Sequence, residues 1–162
     1  MLFRSGDVPI RYSQLAEALG VRVEDRVAAD AVRETVLELR RIKGMILSED
    51  DHDTWSVGSF FLNPIVERRR AEVIPDSCPK FPSVDGCKIS AAWLIESCDV
   101  GRGFRLANSG AYVSSKHSLA ICNDGTATAS DVINLAREIR GRVAEKYSIE
   151  LTPEPSLVGV NL

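Results

Sequence analysis

The sequence is poor in the residues that usually build metal centres. It has two histidines and four cysteines in 162 residues. Cys78, Cys87, Cys98 and Cys122 leave no two-residue gap of the kind that clips zinc or forms a redox pair. No metal site is expected, and free, buried or half-buried thiols in a reducing compartment fit this spacing. Charge of one sign is lacking too. Twenty Lys and Arg against 23 Asp and Glu leave a net charge of −3. That excludes the basic field that would hold nucleic acid. No apolar run approaches a membrane span. The start Met1-Leu2-Phe3-Arg4-Ser5-Gly6 turns polar too early for a signal peptide. A cytoplasmic location follows by default. Aromatics are scarce, at 6%, so a place where they cluster carries weight.

Such a place is Trp55-Ser56-Val57-Gly58-Ser59-Phe60-Phe61-Leu62-Asn63-Pro64. Two adjacent phenylalanines want burial, and with β-branched Val57 they favour an extended strand. Asn63-Pro64 stops it, since proline lacks a donor and restricts the residue before it. Gly58 has no Cβ, so a ligand can approach the backbone there. Ser59 then reads either as an ordinary serine on a strand rim or as a hydroxyl held rigidly against a flat ligand.

The rest of the chain reads as α+β, with short strands alternating irregularly with helices and no regular βαβ repeat. Tyr12, Leu15, Ala16 and Leu19 recur at helical spacing, and Gly20 is placed to end that helix. Asp30 is a candidate cap for a second helix. Its apolar stripe is Val32, Val36, Leu37, Leu39 and Ile42, and Gly44 lies just past its end. Lys43 and Arg40 complement its dipole. The acidic run Asp50, Asp51, His52, Asp53 lacks calcium-loop spacing and reads as a solvated turn.

Pro75, Pro79, Pro82 and Gly86 make residues 75–86 a loop that carries Phe81. Residues 89–98 read as a helix with Lys88 at its unfavoured end, a hint of ligand contact. Residues 111–113 and 119–122 read as strands. Ser130 is a candidate cap for a final helix, with Val132, Leu135, Ala136, Ile139, Val143 and Tyr147 as its buried stripe. Glu154, between Pro153 and Pro155, has a nearly fixed backbone; a simple surface loop is the default reading, and the rigidity also suits an orienting or acid–base group.

Ser56-Val57-Gly58-Ser59-Phe60-Phe61-x-Asn63-Pro64 resembles the signature of the UDP-N-acetylenolpyruvoylglucosamine reductases, also called UDP-N-acetylmuramate dehydrogenases. Further blocks are similar to that family, in its order. They include Arg11-Tyr12-x-x-Leu15, Leu39-Arg40-x-x-Lys43-Gly44-Met45, Pro82-x-x-Asp85-Gly86-x-Lys88, Ser115-Lys116-His117 and Leu151-x-Pro153-Glu154-Pro155.

The resemblance implies a flavoenzyme that uses FAD and NADPH to reduce UDP-N-acetylglucosamine enolpyruvate to UDP-N-acetylmuramate for peptidoglycan. It implies that Ser59 protonates the substrate carbon and that Glu154 assists. It implies substrate contacts for Lys43, Asn63, Phe81, Lys88, Arg102 and His117. Phe81 stands where many members carry tyrosine, and Leu62 replaces a usually polar residue. The family's glycine-rich flavin loop and catalytic arginine have no counterpart here. The resemblance therefore covers the C-terminal half. Residues 1–44 are expected to be a helical remnant of the flavin domain and 45–151 the substrate domain. Residues 152–162 are expected to be a strand returning to the missing part. Without that part the chain is expected to be inactive, and a non-catalytic nucleotide-sugar-binding fragment is the alternative.

Overall fold

The computed structural model describes residues 6–162, so the five residues that open the chain lie outside this account. The chain divides into two compact units, one running to Ile46 and one over Leu47–Leu162.

In the first unit, β1 (Asp7–Pro9) pairs antiparallel with β2 (Arg26–Ala28), Val8 opposite Val27. Helix α1 (Ser13–Leu19) ends where expected: Gly20 takes a left-handed φ of 67° and its N–H reaches back to Ala16 and Glu17. Helix α2 (Ala29–Ile42) corrects one expectation. Its N-cap is Ala28, without a side-chain bond, and Asp30 lies inside the first turn. There a carboxylate acts through the helix dipole rather than as a cap. The stripe of α2 is half-buried at best; no residue of this helix is buried, and Ile42 is 64% exposed.

The second unit holds two three-stranded sheets. In one, β3 (Ser56–Ser59), β8 (Ala120–Asn123) and β7 (Ala111–Val113) lie in the order β3-β8-β7. In the other, β4 (Ile65–Val66), β6 (Gly86–Ile89) and β5 (Lys80–Ser83) lie in the order β4-β6-β5. All pairings are antiparallel. Helix α3 (Arg68–Glu72) lies against β6, and α5 (Ala129–Tyr147) covers β7 and β8. Phe60, Phe61, Ile89, Leu94, Ile95, Val113, Leu135, Ile139, Val143 and Leu151 share one core.

Three expectations are corrected here. Residues 75–86 are not all loop, because Lys80–Ser83 and Gly86–Ile89 form a hairpin. Pro82 is tolerated because β5 is an edge strand, where a missing N–H breaks no ladder. Gly86 has φ 146°, and a Cβ there would meet the Val66 carbonyl oxygen at 2.3 Å, so only glycine fits. Lys88 therefore lies mid-strand, not at a helix start. Helix α4 (Ala91–Glu96) begins later, capped by Ser90, whose Oγ accepts from the Trp93 N–H at 3.3 Å. The cap of α5 is Thr128, not Ser130. Thr128 and Asp131 form a reciprocal capping box, which satisfies two backbone donors where Ser130 would satisfy one.

Candidate functional site

Ser59 is aimed by a bulge. Ser56 sits opposite Cys122 and Ser59 opposite Ala120, so β3 carries one extra residue against β8. Gly58 absorbs the distortion with φ 85°, and the Ser56 Oγ accepts its N–H at 3.2 Å. The glycine is required by that positive φ; a Cβ would meet nothing within 4 Å. Past the bulge the two phenylalanines are buried, with ring centroids 5.1 Å apart and edge to face. Each anchors the strand by about 1.5–3 kcal/mol of apolar burial.

Glu154 arrives from the far end of the chain. The Leu62 N–H donates to the Thr152 carbonyl at 3.0 Å, and the Glu154 N–H donates to the Phe60 carbonyl at 2.9 Å. Phe61 and Pro153 form the antiparallel bridge between them. The 152–154 segment is thus a short extra strand beside 60–62. It sets Glu154 next to Ser59, and these two residues line both of two adjoining depressions. The smaller, of about 330 Å³, is completed by Val57 and Pro155. The larger, of about 410 Å³, is completed by Phe61, Leu62, Asn63, Ile65, Lys88 and Leu119.

The larger depression gathers Ser59, Glu154, Asn63 and Lys88. The Asn63 Oδ1 accepts the Ala91 N–H at 2.8 Å at the start of α4. That uses its acceptor, so the group it can offer a ligand is its amide donor. Lys88 is exposed and sits opposite Ile65 on one side and Phe81 on the other. The three side chains therefore form one row across β4-β6-β5. Phe81, 48% exposed, extends that row as an apolar face beside the ammonium.

Arg102 is not brought here. It pairs with Glu96 at 3.5 Å and lines a separate depression with Glu96, Asp99 and Phe104. Nor does His117 line the depression; its Nδ1 accepts the N–H of Leu119, a wall residue two positions on, at 3.3 Å. Lys43 belongs to the first unit, where its ammonium donates to the Gln14 side chain at 3.1 Å.

Several residues of the neighbourhood were not legible beforehand. Asp53 is bound to Ser115, and Asp51 to Lys116. Lys116 holds the Asp51 carboxyl below the usual range. The one sequence hint was an acidic run in one block and a cation in a later one. Cys122, buried on β8 opposite Ser56 of β3, has its thiol pushed up to about 12 by burial. Its enclosure in the core suits packing.

The chain matches the model of the UDP-N-acetylenolpyruvoylglucosamine reductase C-terminal domain over residues 50–158. It belongs to that family. A UDP-N-acetylenolpyruvoylglucosamine reductase of Mycolicibacterium gilvum is 49% identical over 158 residues, covering 95% of this chain and 45% of the relative. One from Mycobacterium sp. strain MCS is 50% identical over 159 residues, with the same two coverages. One from Nocardia farcinica is 48% identical over 163 residues, covering 95% and 43%. The chain thus spans a little under half the length of these reductases. The small sheets and packed helices are the α+β architecture expected for the C-terminal domain of the reductase. No helix among the described residues is long and apolar enough to cross a membrane.

Proposed function

We propose that this chain is the substrate-side part of a reductase that converts UDP-N-acetylglucosamine enolpyruvate to UDP-N-acetylmuramate for peptidoglycan. The observation that carries this reading is the shared lining of Ser59 and Glu154, brought together by pairing of 152–154 with 60–62.

Reducing the enolpyruvyl double bond needs a hydride on one carbon and a proton on the next. Charge develops on the substrate carboxylate in between. Ser59 supplies the proton from the bulged strand, and Glu154 orients it. Serine is a poor acid in water and needs a positive field. Lys88, in the same depression, provides one. Asn63 adds a neutral donor. Phe81 extends the floor toward a base or sugar ring. Residues 1–44 are read as the tail of a flavin-binding domain and 152–162 as a segment returning to it. Arg102 and His117, in the same unit as that depression but outside it, then meet substrate only if other parts of the enzyme carry it to them.

The described residues do not fit FAD by themselves. Their Gly101-x-Gly103 turn follows a helix and sits among the carboxylates of Glu96 and Asp99, which is hostile to a pyrophosphate. FAD, reduced by NADPH, would supply the hydride from another part of the enzyme. The free thiols of Cys78, Cys87, Cys98 and Cys122 suit the reducing cytoplasm in which we place the chain.

The test supplies the flavin domain of a relative and follows NADPH consumption with the enolpyruvyl substrate. Turnover is expected, and Ser59→Ala is expected to lower it by about 10²–10⁴-fold. A formed complex without turnover would sink the catalytic reading. A second reading, favoured by the lack of an FAD-fitting loop among the described residues, is a nucleotide-sugar-binding module without catalysis. It predicts calorimetric binding of the substrate with no NADPH consumption.

A further inference from the structure

The acidic segment before β3 is not merely a solvated turn. The Asp53 Oδ1 accepts the Ser115 N–H at 2.9 Å and its Oδ2 accepts the Ser115 hydroxyl at 2.9 Å. Asp51 accepts the Lys116 ammonium and, through its other oxygen, the Asp53 N–H at 3.1 Å. The Cys122 thiol of β8 donates to the Asp53 carbonyl at 3.2 Å. On the loop's inner side, the buried Ser114 Oγ accepts the N–H groups of Lys116 and His117 at 3.0 and 3.1 Å. The β7–β8 loop is therefore held from both sides.

The loop leads to the candidate site. The His117 Nδ1 accepts the Leu119 N–H, and the His117 carbonyl accepts the Ala120 N–H at 2.9 Å. Leu119 lines the depression of Ser59 and Glu154, and its carbonyl accepts the Phe60 N–H at 2.8 Å, beside Ser59.

We propose that Asp53, supported by Asp51, is a positioning residue for substrate binding. It fixes loop 114–119 so that Leu119 holds both the wall of the depression and the Phe60 amide next to Ser59. Two bonds from one carboxylate to one residue fix its orientation as well as its distance, and the Asp51–Lys116 pair adds a third point. Asp53 is only partly buried and stands outside the core cluster. Its loss therefore loosens the loop before it threatens the fold. This rests on reading that depression as the substrate site.

The experiment is a calorimetric titration of the whole chain with UDP-N-acetylglucosamine enolpyruvate, with thermal unfolding and amide exchange on the same samples. Asp53→Ala is expected to weaken binding about tenfold and to speed exchange at the Leu119 and Phe60 amides. Asp53→Asn, which keeps one acceptor, is expected to fall between. Ser115→Ala removes the hydroxyl bond alone and gives the same readout in milder form if Asp53→Ala fails to fold. A lower melting temperature with unchanged affinity means a purely structural clamp and overturns the proposal. Parent chain that binds, with all three variants binding equally well, overturns it while leaving the substrate site standing. Parent chain that gives no heat overturns the substrate site and the positioning role together.

Discussion

The two units of the chain are held together differently. Up to Ile46, burial is confined to a few residues such as Ile10 and Ala16, and the long helix α2 buries none. Beyond Leu47, one continuous cluster runs from Phe60 to Leu151 and includes Leu94, Ile95, Leu135 and Val143, all fully enclosed. Tyr12, at 76% exposure, typifies the first unit; Phe61, at 2%, typifies the second. The stripe of α2 is only half covered, by α1, β1 and β2, so this helix contributes less burial than those of the second unit. The unit with the candidate site, by contrast, suspends Ser59 and Glu154 directly from its own core.

The most severe test of that contrast is Phe61→Ala. It should destabilise the chain by about 3–5 kcal/mol in denaturant unfolding, whereas Ile42→Ala should change it by at most about 0.5 kcal/mol. Equal costs would erase the distinction. Thr128→Ala removes half of the capping box and should cost about 1 kcal/mol, read in the same unfolding curves.

Thiol labelling sharpens the picture within the second unit. At pH 8 the half-buried Cys87 should react first and Cys122 last. A raised folded-state thiol is stabilising below the unfolded value near 9. That contribution is lost as the pH climbs from there toward about 12, so alkaline unfolding should begin in this range. Cys122→Ala should flatten that limb, and an unchanged limb would count against the assignment.

The smallest effect is acidic. Hydrogen bonds from the Thr128 backbone and hydroxyl hold the Asp131 carboxyl below its ordinary value of 3.8. Its contribution is present above that value and disappears as the pH falls through the lower, folded one. Asp131→Asn should make acid unfolding slightly less steep.

Much of the fold was legible where a single residue type decides it. Gly20 and Gly44 end helices because left-handed backbone favours glycine, and both take positive φ. The stripe of α5 was readable because a long helix repeats its pattern many times. The β5–β6 hairpin was hidden because prolines read as loop unless the strand is known to lie at an edge. The cap of α5 was missed because Thr128, Ser130 and Asp131 are all acceptable caps, and only geometry chooses. In the candidate site, Ser59, Asn63, Lys88 and Glu154 meet at one depression, while Arg102 lies elsewhere with Glu96.

The amino-acid order by itself determined the family, the aromatic anchor and the serine–glycine step on which the bulge turns. These depend on neighbours in the chain, and neighbours are fixed by the covalent order. Only the tertiary structure decided that a proline-flanked glutamate returns to pair beside Phe60 and that Asp53 reaches Ser115. The glutamate is placed by backbone hydrogen bonds, which carry no side-chain signature, and the Asp53 carboxylate finds a serine 62 residues away only once the core has closed.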